Sequence, residues 1–462
     1  MHDNTLTLRQ KKTSVAAILY GCFSLWPILW NTWVVFKATA ALDHLFPLHF
    51  LWFISAAIVM VRKHIKVSFL IAWVLFVAVS AALSINKITL AVSDLSVILC
   101  GTLFCMTSYE RKYDYHRMLK ILYIGGIIIS ITVIADNTIG IFRNELIGIY
   151  SKSSADVKQR LTHSGGLLPY PASAGCFICS GLAAYVAYTL IYNRKLKMGN
   201  RIAVILVFAI AELMIQKRGF IIDIIVALLL LRLIRIRKED LRSVKIKRLF
   251  RRALYVIGLT AAAISLYKWI PAIHRSVDSL FARFTSNDTT LSGRTNLYEL
   301  ALMLFRGHTT RGIGWGRYRA YTTGILGKSG ISYETHNVYL QVLTETGVIG
   351  FAVFLIAVAS TLIYGIRKFK KTSVQETESQ IVIQLGLFMQ FFFLAYCMSG
   401  NPLYDYNFCI TYFIGIMFTL IPIKDKEQQK YADRNPHVFT RFELGRSTAG
   451  LFAPEDIGGD GL

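Results

Sequence analysis

Long apolar runs alternate with short polar segments along nearly the whole chain, and this pattern predicts a bundle of membrane-spanning helices. A helix needs roughly 20 mostly apolar residues to cross a bilayer. Two candidate spans, 202–215 and 219–231, are short and also fit one broken or re-entrant element. The candidates are residues 14–36, 45–61, 67–85, 90–108, 119–135, 171–192, 202–215, 219–231, 253–270, 348–364, 381–398 and 406–423. The sequence therefore predicts an all-α, polytopic integral membrane protein with about 12 transmembrane helices.

The composition is that of a membrane protein. The 462 residues are 54% hydrophobic and 17% charged, with a mean hydropathy of +0.48, whereas soluble domains are about a quarter charged. Among the seven cysteines, Cys176 and Cys179 form a CxxC pair at helical spacing inside a predicted span. No second pair or histidine accompanies them, which favours ordinary helix residues over a metal or redox site. We expect no metal and no cofactor.

Basic residues give the chain a net charge of +24, and they fall mostly in short segments between the apolar runs. Basic clusters precede the first predicted span and follow the even-numbered spans, and the strongest cluster lies within residues 232–252. Lysine and arginine are enriched in the cytoplasmic loops of membrane proteins, so the pattern predicts that both termini are cytoplasmic. Because membrane topology accounts for the excess of basic residues, a nucleic-acid partner is not needed to explain the net charge.

This topology divides the chain into membrane parts and outer parts. A large outer loop with helical content precedes the tenth predicted span and carries Arg294 and His336. The predicted division is 1–135 for N-terminal transmembrane helices, 136–170 for an outer loop, 171–270 for transmembrane helices with a short outer turn at Arg218, 271–347 for the large loop, 348–423 for C-terminal transmembrane helices and 424–462 for a disordered cytoplasmic tail.

Arginine is abundant on the predicted outer side, where the orientation of the chain does not require it. Guanidinium groups bind phosphates through paired hydrogen bonds, so this excess indicates an anion site. Arg218, between two predicted spans, also fits an ordinary interfacial arginine, and Lys87 in a short outer turn has the same two interpretations. Arg294 is predicted near the start of an amphipathic helix with Ser292 as N-cap, as either a ligand contact or a solvated side chain.

His336 stands where the large polar loop returns to apolar sequence, directly before Asn337. An imidazole titrates near neutrality and can accept the proton of a hydroxyl, although a lone histidine at a membrane interface is more often structural. A short helix is predicted to lead from this point into the tenth span. From the residues alone, only the neighbouring arginines favour a catalytic role for His336.

A glycine-rich and aromatic segment, RGIGWGRYRAY, lies between Arg294 and His336. Its glycines permit tight turns and close backbone approach, but neither a parallel sheet nor a Lys-Ser/Thr pair makes it a phosphate loop. For Trp315, Tyr318 and Tyr321, an aromatic belt at the membrane surface is favoured over stacking on sugar rings. The chain contains no zinc-protease, nucleophile-elbow or nucleotide-binding motif.

Four segments in order resemble the O-antigen ligase and polymerase superfamily of bacterial envelope polysaccharide enzymes. They are QRLTHSGGLLPYPASAG, MIQKRGF, SGRTNLYELALMLF with the glycine-rich segment after it, and THNVYLQVLTETGVIGF. The last of them is similar to the family's His-Asn, apolar, then Glu-x-Gly-x-x-Gly pattern. The resemblance covers residues 160–351, and the N-terminal spans match only as generic helices.

The resemblance implies an inverting, metal-independent glycosyltransferase of the bacterial inner membrane with its active site facing the periplasm. Its donor would be a glycan on undecaprenyl pyrophosphate, and its acceptor lipid A–core or another lipid-linked glycan. Arg218 and Arg294 would hold the pyrophosphate, and His336 would be the general base or orienting group for the acceptor hydroxyl. Further substrate contacts are predicted at Arg160, Lys87, Lys217, Asn337, Arg311 and Arg317. Lys217 departs from the small or hydroxyl residue that the family pattern favours.

Two alternatives accompany this interpretation. A ligase transfers the glycan to lipid A–core, whereas a polymerase transfers it to another lipid-linked repeat, and the ligase is slightly favoured. A secondary transporter would also contain about 12 helices. The absence of an internal two-fold repeat and the few interior charges, chiefly Glu212 and Asp223, argue against a transporter.

Overall fold

The computed structural model describes ten stretches of the chain, all of them helical or joined to helices. They are residues 70–84, 88–108, 115–140, 165–168, 170–192, 198–215, 217–235, 290–325, 334–372 and 377–420. Within these stretches there are α-helices and one 3-10 turn, and no strand. The predicted all-α class is confirmed for the described part of the chain.

Eleven α-helices are present in these stretches. We label them α1 (Ile71–Leu83), α2 (Ile88–Ser108), α3 (Tyr115–Ile139), α4 (Pro171–Ile191), α5 (Met198–Ile215), α6 (Arg218–Arg235), α7 (Thr290–Gly307), α8 (Tyr318–Ile325), α9 (Val338–Lys371), α10 (Thr377–Tyr396) and α11 (Tyr406–Thr419), with a 3-10 turn at Pro402–Tyr404. The predicted spans that fall on described residues are helical, with ends that differ by a few residues. The predicted spans 14–36, 45–61 and 253–270, residues 141–164 of the predicted outer loop and the predicted tail 424–462 lie outside the described residues. Residues 136–139 of that predicted loop are the end of α3.

Four of these helices are long and apolar enough to cross a membrane. They are Met118–Ile139, Pro171–Ile191, Val338–Lys371 and Glu378–Tyr396. Shorter apolar helices occur at Ile71–Leu83, Asp94–Met106 and Tyr406–Thr419. These helices agree with a helical membrane protein, whereas the count of about 12 spans stays a prediction.

Small residues allow α3 and α4 to pack closely. A Cβ atom placed on Gly126 would lie 2.8 Å from the Cα of Gly181, and a Cβ atom on Gly181 would lie equally close to Gly126. In a membrane, where lipid is as apolar as leucine, close approach between small residues replaces the hydrophobic drive for helix association. Larger side chains at either position would force the two helices apart.

Aromatic side chains join the first described helix to the C-terminal helices. Trp73 of α1 is fully buried. Its ring packs against Phe76, Phe354, Tyr412 and Phe413 with centroid separations of 5.4–6.1 Å. Edge-to-face contacts of this kind add to the stabilisation from packing alone. They tie α1, α9 and α11 into one core.

A kink at Gly347 divides α9 into two parts. Gly347 has φ 63° and ψ −169°, a conformation that favours glycine. The helix has 34 residues, or about 51 Å at 1.5 Å per residue, which exceeds the roughly 30 Å hydrocarbon core. The part before the kink carries fully buried polar residues, among them Gln341 and Glu345. The prediction of a short helix leading into the tenth span is therefore confirmed.

The glycine-rich segment after α7 binds the backbone of α9 at this kink. Ile313 and Gly314 donate their N–H groups to the carbonyls of Thr344 and Glu345 at 3.1 and 2.8 Å. A Cβ atom on Gly312 would lie 2.4 Å from the Glu345 carbonyl oxygen. The kink frees helix carbonyls that this segment then satisfies, because buried backbone groups must find partners.

Two expectations about this region were wrong. Helix α7 begins at Thr290, so Ser292 lies inside its first turn and is not its N-cap. Trp315 and Tyr318 are fully buried and do not form an aromatic belt at a surface. The Trp315 ring stacks on Tyr404 with a centroid separation of 4.7 Å, and the Tyr318 hydroxyl donates to the Leu297 carbonyl at 2.7 Å. Buried polar tips with partners make these aromatics part of the packing.

Candidate functional site

His336 lies immediately before α9 in a strained conformation. Its φ of 55° makes it the one non-glycine residue with positive φ in the described part of the chain. A left-handed backbone is unfavourable for a residue with a Cβ atom and persists where the surroundings enforce it. Such residues cluster at functional sites, and this one is the residue that the sequence predicts as the catalytic base.

Two cations act on the His336 imidazole. The crowding of protein atoms around the ring comes first, and the charges of Arg294 and Lys217 add to it in lowering the pKa of His336 to about 4. The residue as a whole is exposed to solvent. The imidazole is therefore neutral at pH 7, with a lone pair free to accept a proton.

Lys217 and Arg294 also act on each other. Burial first, and then the charge of Arg294, lower the pKa of Lys217. Arg294 itself is exposed on α7. Like charges brought together are costly unless an anion joins them, so this pair is suited to binding a negatively charged group. The role of Lys217 in an anion site stays a prediction.

The ends of three further helices meet beside these residues. The N–H of Val338, at the start of α9, donates to the carbonyl of Cys397 at the end of α10 at 2.9 Å. A Cβ atom on Gly219, in the first turn of α6, would lie 3.6 Å from Ser399 Oγ. The N-termini of α6 and α9 thus lie near the end of α10. The positive ends of two helix dipoles are a favourable setting for an anion.

Arg218 begins α6 and is therefore at this junction through its backbone. The aromatic ring of Phe220, two residues later, packs edge-on against Tyr396 at 4.8 Å, which fixes the first turn of α6 against α10. The predicted turn between the short apolar segments is confirmed as a break between α5 and α6. The role of the Arg218 guanidinium stays a prediction.

The remaining predicted contacts differ in their settings. Asn337 is the N-cap of α9, and its Oδ1 accepts the N–H of Leu340 at 3.1 Å. The Arg317 guanidinium donates to the Ile313 carbonyl at 2.9 Å and lies over the Tyr321 ring. These contacts give Asn337 and Arg317 local structural roles. Either side chain would have to bind substrate while it keeps these contacts.

Three other predicted contacts are less informative. Arg311 is exposed in the turn after α7, and its backbone N–H lies against Gly347. Lys87 and Arg160 lie outside the described residues. The structure therefore brings Lys217 and Arg294 to His336, whereas the Arg317 guanidinium makes its contacts at Ile313 and Tyr321.

A buried polar network behind His336 was not predicted from the sequence. Glu345 is fully buried, and its carboxylate accepts the N–H groups of Gly316 and Tyr318 at 2.9 and 3.1 Å and the hydroxyl of Tyr404 at 2.7 Å. Gln341 lies one turn earlier on the same face of α9. The available signal was that Gln341 and Glu345 are four residues apart in a mostly apolar stretch, a spacing that puts both on one helix face.

The Cys176 and Cys179 pair lies in α4, where both thiols are buried and free. No group of three or more potential metal ligands occurs among the described residues. Cys176 and Cys179 are core residues of the helix, in agreement with the structural interpretation of this CxxC pair.

The comparisons with known proteins bear on the segment that contains this site. No curated protein matches the chain. The family model of the O-antigen ligases matches residues 202–355, which include Lys217, Arg294 and His336. The family consists of membrane glycosyltransferase-type enzymes of the bacterial envelope, and this favours a glycosyltransferase over a transporter. The match supports the resemblance of residues 202–355 to the O-antigen ligase superfamily.

Proposed function

We propose that the chain transfers a glycan from undecaprenyl pyrophosphate to a sugar hydroxyl, with inversion at the anomeric carbon and without a metal. The observation that carries this proposal is the neutral His336 held in a left-handed conformation beside Arg294 and Lys217. A proton acceptor next to an anion-binding pair matches the two demands of the reaction, which are an activated hydroxyl and a stabilised leaving group.

The reaction assigns each group one task. The acceptor oxygen forms a bond to the anomeric carbon while the bond from that carbon to the pyrophosphate oxygen breaks. The acceptor proton passes to the free nitrogen of His336, and the electron pair leaves with the pyrophosphate. Arg294, Lys217 and, by its place at the start of α6, Arg218 neutralise the charge that grows on the leaving oxygen.

The site is proposed to face the periplasm. The basic clusters between the apolar runs support an orientation with both termini in the cytoplasm, which puts α7, α8 and the start of α9 on the outer side. Lipid-linked donors could then reach the site from the outer leaflet of the bacterial inner membrane, and membrane lipids would surround the helices.

An O-antigen ligase with lipid A–core as acceptor is the proposed activity, and a polymerase of lipid-linked repeats is the alternative. A deletion strain separates them when its lipopolysaccharide is resolved on a gel. Loss of all lipid A-attached repeats is expected for a ligase, whereas retention of a single repeat on lipid A–core would identify a polymerase. An unchanged pattern of envelope glycans would contradict both assignments.

The proposed base predicts two different acid limbs in the pH dependence of transfer. In the free protein the pKa of His336 is lowered to about 4, so kcat/KM should fall only as the pH approaches that value. Bound pyrophosphate offsets the charges of Arg294 and Lys217 and raises the pKa of His336 in the complex. The acid limb of kcat should therefore lie at higher pH than that of kcat/KM.

The variant Lys217→Met tests the cause of this difference. Loss of one cation raises the pKa of His336 in the free protein, so the acid limb of kcat/KM should move to higher pH. Lys371→Met, which changes an exposed lysine at the far end of α9, is the matched control and should leave the limb in place. A wild-type limb near the ordinary histidine value of 6.5 would contradict the proposed influence of the cations.

A further inference from the structure

Each residue next to His336 is held by hydrogen bonds. The Thr335 Oγ1 donates to the Asn337 carbonyl at 2.7 Å, and the Asn337 N–H donates back to the same Oγ1 at 3.1 Å. These two bonds close a tight loop around His336. Within the described part of the chain, the His336 side chain itself has no hydrogen bond, so its orientation depends on how its neighbours are held.

Gln341 connects this loop to the interior. Its Oε1 accepts the Thr335 N–H at 3.2 Å and the Asn401 amide at 2.9 Å, and it lies 3.2 Å from the Thr335 Oγ1, whose proton is directed to the Asn337 carbonyl. Its Nε2 donates to Glu345 at 3.4 Å. Gln341 is fully buried, so every polar atom of its side chain must find its partner inside the protein.

The network continues from Gln341 to α8 by two routes. Asn401 donates from the same amide nitrogen to Glu334 at 2.9 Å, and Glu334 forms an ion pair with Arg319 of α8. Glu345 receives the backbone N–H groups at the start of α8. The left-handed turn at His336 is therefore connected through Gln341 to α8, to the 3-10 turn and to the kink of α9.

We propose that Gln341 is a positioning residue that holds His336 in its left-handed conformation and keeps the imidazole directed at the acceptor hydroxyl. The inference rests on the proposed glycan transfer. A backbone with positive φ reverts to an ordinary conformation when its restraints are removed, since the left-handed region is unfavourable for a histidine. Loss of the Gln341 oxygen removes the restraint on Thr335, and the ring then leaves its productive place.

The test uses the full-length protein in lipid nanodiscs, with lipid-pyrophosphate-linked glycan as donor and lipid A–core as acceptor. Gln341→Met keeps the length and volume of the side chain and removes its hydrogen bonds. A ring misplaced by about 1 Å can lower the rate by about 100-fold. We expect kcat to fall by about 10- to 100-fold with little change in the KM for the donor, because Arg294 and Lys217 are untouched.

Gln390→Met is the matched control. Gln390 is a fully buried glutamine of α10 whose amide donates to the Gly386 carbonyl of its own helix at 3.4 Å. It has the same residue type, burial and substitution but does not contact Thr335. Its kcat should stay at the wild-type value. An equal fall of kcat in both variants would show a general cost of altering buried glutamines and would overturn the inference.

Thr335→Val provides a second route should Gln341→Met fail to fold. The change keeps the side-chain shape and removes the hydroxyl that donates to the Asn337 carbonyl, accepts the Asn337 N–H and lies against the Gln341 Oε1. We expect the same selective fall in kcat. In the double variant, kcat should fall by less than the product of the two single effects, as it does for residues that act through one group. Unchanged kcat in Thr335→Val would overturn the inference.

Failure of this inference is distinguishable from failure of the proposed function. If His336→Ala abolishes transfer while Gln341→Met and Thr335→Val retain full kcat, the base assignment holds and the positioning role is wrong. If His336→Ala retains full transfer, the proposed base is wrong, and the positioning role is overturned with it.

Discussion

Replacement of His336 by alanine is expected to lower kcat for glycan transfer by about 10²- to 10⁴-fold, the contribution typical of a general base. The physical reason is that the acceptor hydroxyl loses the one neutral imidazole that lies beside the two cations. Donor binding should be retained, since the guanidinium of Arg294 and the amine of Lys217 remain. The measurement is transfer by the purified protein under donor and acceptor saturation.

His308→Ala is the control for this prediction. His308 is an exposed histidine just after α7 whose ring contacts the Leu304 carbonyl at 3.2 Å, and the site does not use it. Its replacement should leave kcat unchanged. Alanine also carries a Cβ atom, so His336→Ala keeps the left-handed backbone strain, and its fold is checked by thermal unfolding beside the wild type. Full transfer by a folded His336→Ala protein would contradict the assignment.

Replacement of Arg294 by alanine should lower kcat/KM by about 10²- to 10³-fold, as loss of a donor to a developing oxyanion does. The pyrophosphate then leaves with less of its charge neutralised, so the effect should appear in kcat as well as in donor affinity. Arg294→Lys restores a positive charge but not the paired donors of a guanidinium, and it should recover only part of the activity.

Arg306→Ala is the control for Arg294. Both arginines are exposed on α7, but Arg306 lies in the last turn of the helix, three turns away from Arg294. Its replacement should leave transfer unchanged. Since removal of Arg294 also takes a cation from His336, Arg294→Ala should shift the acid limb of kcat/KM to higher pH. Equal activity of Arg294→Ala and Arg306→Ala would show that the α7 arginine has no part in the reaction.

The positions of the helices could be predicted well, because a membrane helix is encoded by local composition. A run of apolar residues needs no distant partner to satisfy its backbone, since each helix satisfies its own hydrogen bonds. For this reason the predicted spans agree with helices wherever the residues are described. The shortest candidates, 202–215 and 219–231, were ambiguous from the sequence and are separate helices, α5 and α6.

The aromatic segment around Trp315 shows where local reasoning was wrong. Glycines, arginines and aromatics in a polar stretch indicated a surface, but Trp315 is fully buried against Tyr404 and donates from its indole to Asp94 at 3.3 Å. The partners of Trp315 lie more than 80 residues away along the chain. Burial of Trp315 depends on which distant segments pack against it. The composition of the neighbouring residues in the sequence does not give those segments.

The sequence by itself determined the membrane helices, the break at Arg218 and the short helix before the tenth predicted span, because these follow from local hydrophobicity and turn-forming residues. The left-handed turn at His336, its approach to Lys217 and Arg294, and the Gln341 and Glu345 network were decided only by the tertiary structure. Lys217, Arg294 and His336 lie near three helix ends that are separated by long stretches of chain. Packing of α6, α7, α9 and α10 brings those ends together. The pattern of apolar and polar residues along the sequence does not contain the distances between helix ends in the folded protein.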